Sequence, residues 1–356
     1  MNHEKRVEAV RKTLDAGEGF LITSRESVRY LSGFTGTVGT IFISADRAVF
    51  LTDFRYLSQS EEEVSGMERK VYAKRLEALA ETAADSGISR LKFEADSLYY
   101  GAYEEIRGAL KGIDPAPAKE VVEGLRRVKD DDELAAMRRA VEVTARAWEE
   151  TTAVPMAGVR EVDLSIDLEF RLKRAGSEKA PFDFIVASGP RGALPHGVAS
   201  ERRVRNGELV TFDFGACVGG YFSDLTRTVA VGPVSEELRR MYDLVLEANR
   251  AGIAAVRPGV RAGEVDAAAR GVIERAGYGE RFGHGTGHGL GLEIHENLRI
   301  ARGQDRELVR DMVFTVEPGI YVPEVGGVRI EDMVRVTEDG AEVLTSDISK
   351  DLIVVE

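Results

Sequence analysis

The residues most able to do chemistry are acids and histidines gathered in a few short segments. Leu209–Gly215 (LVTFDFG) and Tyr221–Val231 (YFSDLTRTVAV) read as the two arms of a β-hairpin. With the turn at Ala216–Gly220 and its centre at Val218/Gly219, Asp213 and Asp224 are equidistant from it. Residues placed in that way face each other with Cβ atoms roughly 5 Å apart. A second hairpin runs Val313–Val322, turns at Pro323–Gly327 and returns as Val328–Val336, which sets Glu317 and Glu331 symmetrically about Glu324. Phe314 and Val316 then point to one side and Glu317 to the other, as Val328 and Ile330 oppose Arg329 and Glu331. A single acid in a strand is ordinarily a solvated outer-face residue. Two symmetric pairs, each with apolar neighbours, repel unless something positive lies between them. Four carboxylates suggest a pair of divalent cations, and hard oxygen ligands favour Mn, Mg or Ca.

Four of the five histidines fall beside glycines: His196 in Leu194–Gly197 (LPHG), and His284, His288 and His295 in Gly283–Glu296 (GHGTGHGLGLEIHE). His3 belongs to an N-terminal helical pattern and reads as a surface residue. One imidazole among carboxylates tilts the metal toward Mn, Fe, Co or Zn. The glycines let backbone pack close to a site, and the run argues for an extended segment despite the four-residue spacing of His284 and His288. It has neither the GxxxxGK[ST] pattern nor a GxGxxG between strand and helix, so it is no phosphate cradle. His295–Glu296 lacks the second histidine of HExxH, and Ser188 lies in SGPRG rather than in a GxSxG elbow.

The elements that must carry these residues divide near residues 120–128, giving an expected N-terminal domain over 1–122 and a larger domain over 123–356. In the first, Gly19–Thr23, Gly39–Ile43, Ala48–Thr52 and Leu91–Glu94 read as strands. Ser24–Leu31, Tyr56–Val64, Leu76–Ser86 and Leu98–Leu110 read as helices. This alternation predicts an α/β layer with a mixed sheet. Ile113–Lys119 (IDPAPAK) reads as a break. Leu134–Ala153 then shows apolar residues at helical spacing behind Asp130–Asp132, which serve as caps. Val162–Arg174 is the next helix. From about residue 180, long strands with helices at Glu236–Val256 and Glu264–Ala276 read as α+β.

Composition narrows the classes. Lys plus Arg is 48 and Asp plus Glu is 61, a net charge of −13 over 356 residues, which argues against a nucleic-acid binder. Hydrophobic residues at 43% and charged residues at 31% are those of a globular chain. The one cysteine, Cys217, makes neither an internal disulfide nor a Cys-type zinc site. No stretch approaches the length of a membrane span. The first residues read as an amphipathic helix (Val7, Val10, Leu14) and not as a signal peptide, so the expected compartment is the cytoplasm.

FDFGA…FSDLTRT, GHGTGHGLGLEIHE, FTVEPGIY and GVRIEDMV together resemble the creatinase/prolidase/methionine aminopeptidase superfamily, the pita-bread metallopeptidases. YLSGFTG and FLTDFRY extend the resemblance to the smaller domain of its proline-specific branch, the Xaa-Pro aminopeptidases and Xaa-Pro dipeptidases. The resemblance implies a C-terminal pita-bread catalytic domain behind a creatinase-like α/β domain. It implies five ligands for two divalent ions, most simply Mn with Co or Zn as alternatives: Asp213 on one, Asp224 and Glu331 bridging, His288 and Glu317 on the other. It further implies a metal-bridging hydroxide attacking the Xaa-Pro carbonyl, with Glu317 relaying a proton and His196 and His295 hydrogen bonding at the tetrahedral centre. His284, Tyr321 and Arg329 are expected at the substrate, Arg329 orienting Glu331 or Tyr321. Expected partners are small peptides and a second copy of the chain in a homodimer. Dipeptidase and aminopeptidase P remain alternatives, the GFTG and TDFRY segments looking closer to the latter. A silent binding module and a metal hydrolase of other specificity are the readings from other classes. Creatine-cleaving and histone-binding relatives do not keep the ligand set that this chain holds.

Overall fold

The computed structural model describes residues 1–356, which form two compact units, Met1–Arg126 and Arg127–Glu356. The first contains β1 (Glu18–Ile22), β2 (Thr40–Ser44), β3 (Ala48–Asp53), β4 (Glu68–Tyr72), β5 (Arg90–Glu94) and β6 (Asp114–Ala118). Its helices are α1 (His3–Arg11), α2 (Arg25–Ser32), α3 (Leu57–Glu63), α4 (Arg75–Asp85), α5 (Tyr100–Ala109) and α6 (Val122–Arg126). The sheet order is β4-β3-β2-β1-β5-β6, antiparallel within β1–β2–β3 and parallel elsewhere, the mixed sheet that the alternation predicts. Leu21, Phe42, Leu51, Leu79, Phe93 and Ile106 share its core.

Two strands escape the sequence pattern because both are edges. β4 is largely exposed and begins with Glu68 and Arg69. Charge on an edge blocks pairing with other chains and also removes the apolar signal of a strand. The segment read as a break is β6, in which Pro115 and Pro117 pair in register with Leu91 and Phe93. Proline fits an edge strand when its missing N–H would have pointed away from the neighbour.

The second unit holds α7 (Asp131–Thr152), α8 (Glu161–Ala175), α9 (Glu236–Ala254) and α10 (Ala262–Arg275). Its strands are β7 (Ile185–Ser188), β8 (Glu208–Phe214), β9 (Cys217–Val218), β10 (Tyr221–Phe222), β11 (Leu225–Val231), β12 (Gly287–Gly289), β13 (Glu296–Ile300), β14 (Val313–Val316), β15 (Gly319–Val322), β16 (Gly326–Arg329), β17 (Asp332–Val336), β18 (Ala341–Val343) and β19 (Val354–Val355). Asp130 caps α7 in a capping box with Glu133, which satisfies first-turn amides and places carboxylates at the positive end of the dipole.

The main sheets run β19-β11-β8-β7 and β13-β12-β14-β17-β18. Strand alternation decides what each face carries. Val210, Phe212 and Phe214 of β8 enter a core with Trp148 and Leu168 from α7 and α8, which leaves Asp213 on the other face. Phe314 and Val316 of β14 enter a separate core with Val265 and Ile300, which likewise leaves Glu317 on the opposite side. The acids therefore occupy strand faces turned away from these helix-backed cores.

Candidate metal centre

The first hairpin differs from the sequence expectation by two residues of register. Cys217 pairs with Phe222, Val218 with Tyr221 and Asp213 with Thr226, so the turn is Gly219–Gly220 rather than Val218/Gly219. Both glycines have positive φ, 60° and 80°, the geometry of a two-residue turn matched to strand twist. Asp213 and Asp224 are thus diagonal neighbours on one face, not directly opposed. The ladder parts between Phe214/Leu225 and Cys217/Phe222, where Gly215 lies so close to Ser223 that a Cβ would sit 2.0 Å from its carbonyl oxygen. The Gly-Gly pair was the available signal for this register.

The second hairpin has the expected symmetry. Val313–Val316 against Asp332–Arg335, and Gly319–Val322 against Gly326–Arg329, share one centre at Glu324, so Glu317 and Glu331 occupy matched positions. Their amides leave the ladder: Glu317 N–H donates to Thr286 O (2.7 Å) and Glu331 N–H to Thr226 O (3.1 Å). This cross-linking ties the second hairpin to both the first hairpin and the glycine-rich segment.

The ligand atoms of Asp224, His288 and Glu331 all lie within 4.8 Å of one another. His288 Nε2 is 3.5 Å from Asp224 Oδ2 and 3.4 Å from Glu317 Oε1. The ring's Nδ1 donates to Gly289 O (3.2 Å), so Nε2 turns a lone pair toward both carboxylates. Asp224 Oδ1 is buried with no hydrogen-bond partner. Burial, reinforced by neighbouring acids, raises the carboxyls of Asp224 and Glu331 well above their usual range and lifts Glu317 to about 7. Burial also depresses His288, which keeps its ring neutral. A lone pair and an orphaned carboxylate oxygen converging among raised acids fit a cation and suit little else.

Asp213 is held from outside by Arg329, whose Nη2 lies 2.6 Å from Asp213 Oδ2. Arg329 does not touch Glu331. It meets Thr226 Oγ1 (3.1 Å), and that hydroxyl donates to Glu331 Oε2 (2.7 Å). Burial alone would lower Arg329, but Tyr321, Asp213 and Glu317 around it outweigh that and keep it charged. Its Nη1 donates to Tyr321 OH (2.9 Å) and to Pro195 O (3.2 Å). Tyr321 OH in turn lies 2.8 Å from His284 Nε2, and His284 Nδ1 donates to Gly285 O. Burial lowers His284 to about 4, so it is neutral and accepts from the phenol.

A cavity of about 490 Å³ opens onto these acids. Its wall includes Asp213, Asp224, His284, His288, Glu317, Arg329 and Glu331, with His196 and His295 exposed in its lining. The rings of His295 and His288 meet edge to face at 4.3 Å. Tyr321 is absent from the wall. It stands behind as a link between two residues of that wall, Arg329 and His284. His284 lines the cavity, yet both of its nitrogens are committed to protein groups.

Three groups were missed. Thr226 is visible once the hairpin is centred on its Gly-Gly pair. Arg299 lines the cavity and lies directly across β12–β13 from His288; that pairing needs the strand register, which the sequence did not reveal. The buried pair Asp266–Arg270 on α10 grips the glycine-rich segment. Arg270 donates to Phe282 O and His284 O, and Asp266 accepts from Thr286 N–H and Oγ1.

Residues 135–338 match Metallopeptidase family M24, and residues 6–128 match the Creatinase/Prolidase N-terminal domain. An Xaa-Pro dipeptidase of Pyrococcus horikoshii is 36% identical over 92% of this chain and 92% of its own length. The solved structure of an Xaa-Pro dipeptidase from Bacillus anthracis is 42% identical, with a TM-score of 0.97 over 99% of this chain and 100% of that one. An X-Pro aminopeptidase from Thermotoga maritima is 36% identical, with a TM-score of 0.91 over 97% and 99%.

Proposed function

The chain belongs to metallopeptidase family M24, and on that premise we propose that it hydrolyses the Xaa-Pro bond of dipeptides with two divalent cations, manganese foremost. Asp213, Asp224, His288, Glu317 and Glu331 would hold the ions, since Asp224, His288 and Glu331 converge, Glu317 adjoins His288, and Asp213 faces the same cavity. An oxygen-rich set with one imidazole suits manganese, and admits cobalt or zinc. Bound there, the ions would supply an activated water and polarisation of the scissile carbonyl.

The chain's own residues do the rest. Glu317 takes a proton on the nucleophile's side and returns it to the proline nitrogen, which carries no amide hydrogen and must be protonated to leave. His196 and His295, in the exposed part of the cavity lining, donate to oxygen at the tetrahedral carbon. Arg329, Tyr321 and His284 form a hydrogen-bonded brace that keeps Asp213 aimed inward.

Arg299 carries the choice of dipeptide. It is the cavity's other guanidinium, and unlike Arg329 it is paired with no acid of the protein. A cation in a cavity crowded with carboxylates suits the free C-terminal carboxylate of a dipeptide. This outweighs the likeness of the GFTG and TDFRY segments to aminopeptidase P. Hydrolysis of Ala-Pro, Ala-Pro-Ala and Met-Ala with Mn, Co and Zn tests the reading. Ala-Pro is expected to be cut fastest, with Mn. Turnover of Met-Ala alone would overturn the proline assignment, and preference for Ala-Pro-Ala would overturn the dipeptide one.

A further inference from the structure

Glu161 opens α8, and its side chain is fully buried away from the acids of the metal centre. Its Oε1 accepts from the N–H (2.8 Å) and hydroxyl (2.7 Å) of Ser188. Its Oε2 accepts from Arg191 Nε (2.9 Å) and from the N–H (3.1 Å) and hydroxyl (2.6 Å) of Ser200. None of these donors belongs to α8, so the carboxylate is not spent on capping its own helix. Ser188 and Ser200 bracket residues 189–199, the loop whose Pro195, His196 and Val198 line the cavity. Arg191 reaches on from Glu161 to Val198 O, closing the loop across its middle. Arg329 takes hold of the same loop at Pro195 O. On its other side Gly192 packs against Gly327 so tightly that a Cβ at Gly327 would lie 1.9 Å from Gly192 O.

We propose that Glu161 is a positioning residue for His196, its one carboxylate drawing together both ends of the 189–199 loop so that the imidazole is presented at the reacting carbonyl. The inference rests on the role given to His196 above. A carboxylate suits the task because each of its oxygens meets at least one N–H that can only donate, from Ser188 on one side and from Arg191 and Ser200 on the other, while the two serine hydroxyls, which accept from Arg202, also donate to it. In Glu161→Gln the shape is kept, but one oxygen becomes an NH2 that faces other donors.

Two measurements on the full-length, metal-loaded protein test this. Amide hydrogen exchange should quicken across residues 189–199 in Glu161→Gln, with the bound metal unchanged. Unaltered exchange in that loop overturns the proposal. On Ala-Pro, Glu161→Gln should lower kcat about 10- to 100-fold and move KM by no more than about threefold, the pattern of a misplaced catalytic group. Added to His196→Ala, the same change should cost almost nothing further, because Glu161 acts through that ring. Full additivity in that cycle, which a merely stabilising residue would show, overturns it. If Glu161→Gln does not fold, Ser200→Ala removes one of the five bonds to Glu161, together with the hydroxyl's bond from Arg202 N–H, and should give the same non-additivity with a smaller loss. Failure of the wild type to cut any proline peptide would sink the functional reading and its His196 role, while the exchange arm still judges whether Glu161 holds the loop.

Discussion

Asp213, Asp224, Glu317 and Glu331 differ in what restrains them, and that difference sets what each substitution does. Asp213 is neutralised by Arg329, Glu331 accepts from Thr226, Glu317 accepts from Thr315 Oγ1 (3.0 Å), and Asp224 keeps one oxygen with no partner. Asp213→Ala and Glu331→Ala are both expected to abolish turnover and tight metal binding, measured by metal analysis after dialysis. Near-normal turnover in either would remove it from the ligand set. His196→Ala should lose most turnover yet retain two metal equivalents, because its ring forms no hydrogen bond or ion pair with the clustered acids and bears on Glu317 only through its charge. Loss of metal in that variant would place His196 among the ligands. Arg299→Ala should raise KM for Ala-Pro by about 10- to 100-fold, the loss of one charge-assisted pair of about 1.5–3 kcal/mol. KM for Ala-Pro amide, which has no carboxylate to bind, should hardly move. Equal effects on the two substrates would sink the carboxylate role.

At the scale of elements, glycine decides where strands approach. A Cβ at Gly287 would lie 1.8 Å from Thr315 O, inside the contact between β12 and β14 that sets His288 beside Glu317. Gly287→Ala is therefore expected to destabilise the protein by on the order of 3 kcal/mol or more, since backbone and not a flexible side chain must move. Gly108, in α5 with open space around it, should behave oppositely. Gly108→Ala should add about 0.5–1 kcal/mol by restricting the unfolded chain and favouring the helix. Urea denaturation of both variants checks the pair. A mild Gly287→Ala would mean that β12 does not run against β14 as described.

For the whole molecule, the acid cluster links metal, pH and stability. Carboxyls whose folded pKa is raised bind more protons folded than unfolded, so they weaken the metal-free fold as pH climbs from their unfolded value through the folded one. For Glu317 that window runs from its ordinary 4.5 to about 7, and Asp224 and Glu331 act in the same direction. Metal-stripped protein should therefore lose thermal stability as pH rises from about 5 to about 7. Added Mn should restore it, with the largest gain at the upper end, because cations replace protons as the neutralising charge. Calorimetry at three pH values with and without Mn reads this out. A metal-induced gain that is the same at every pH would show that the acids are not the linked groups.

Much of the protein was legible as local pattern. The mixed sheet of the first unit and the α+β character of the second follow from apolar periodicity, and the matched positions of Glu317 and Glu331 follow from counting residues about a turn. Edge strands β4 and β6 were hidden, because charge and proline at an edge erase the pattern by which a strand is recognised. In the first hairpin a two-residue glycine turn set the register, so counting about the wrong centre put Asp213 opposite Asp224 instead of Thr226. By itself the sequence determined which residue types gather and on which strand faces, since alternation and turn length are local properties. Only the tertiary structure decided that Arg329 holds Asp213, that Tyr321 stands behind His284, that Arg299 faces the cavity and that Glu161 ties down the His196 loop. These contacts join residues far apart in the chain, and no periodicity along the backbone records which side chains long-range packing will bring within 3 Å.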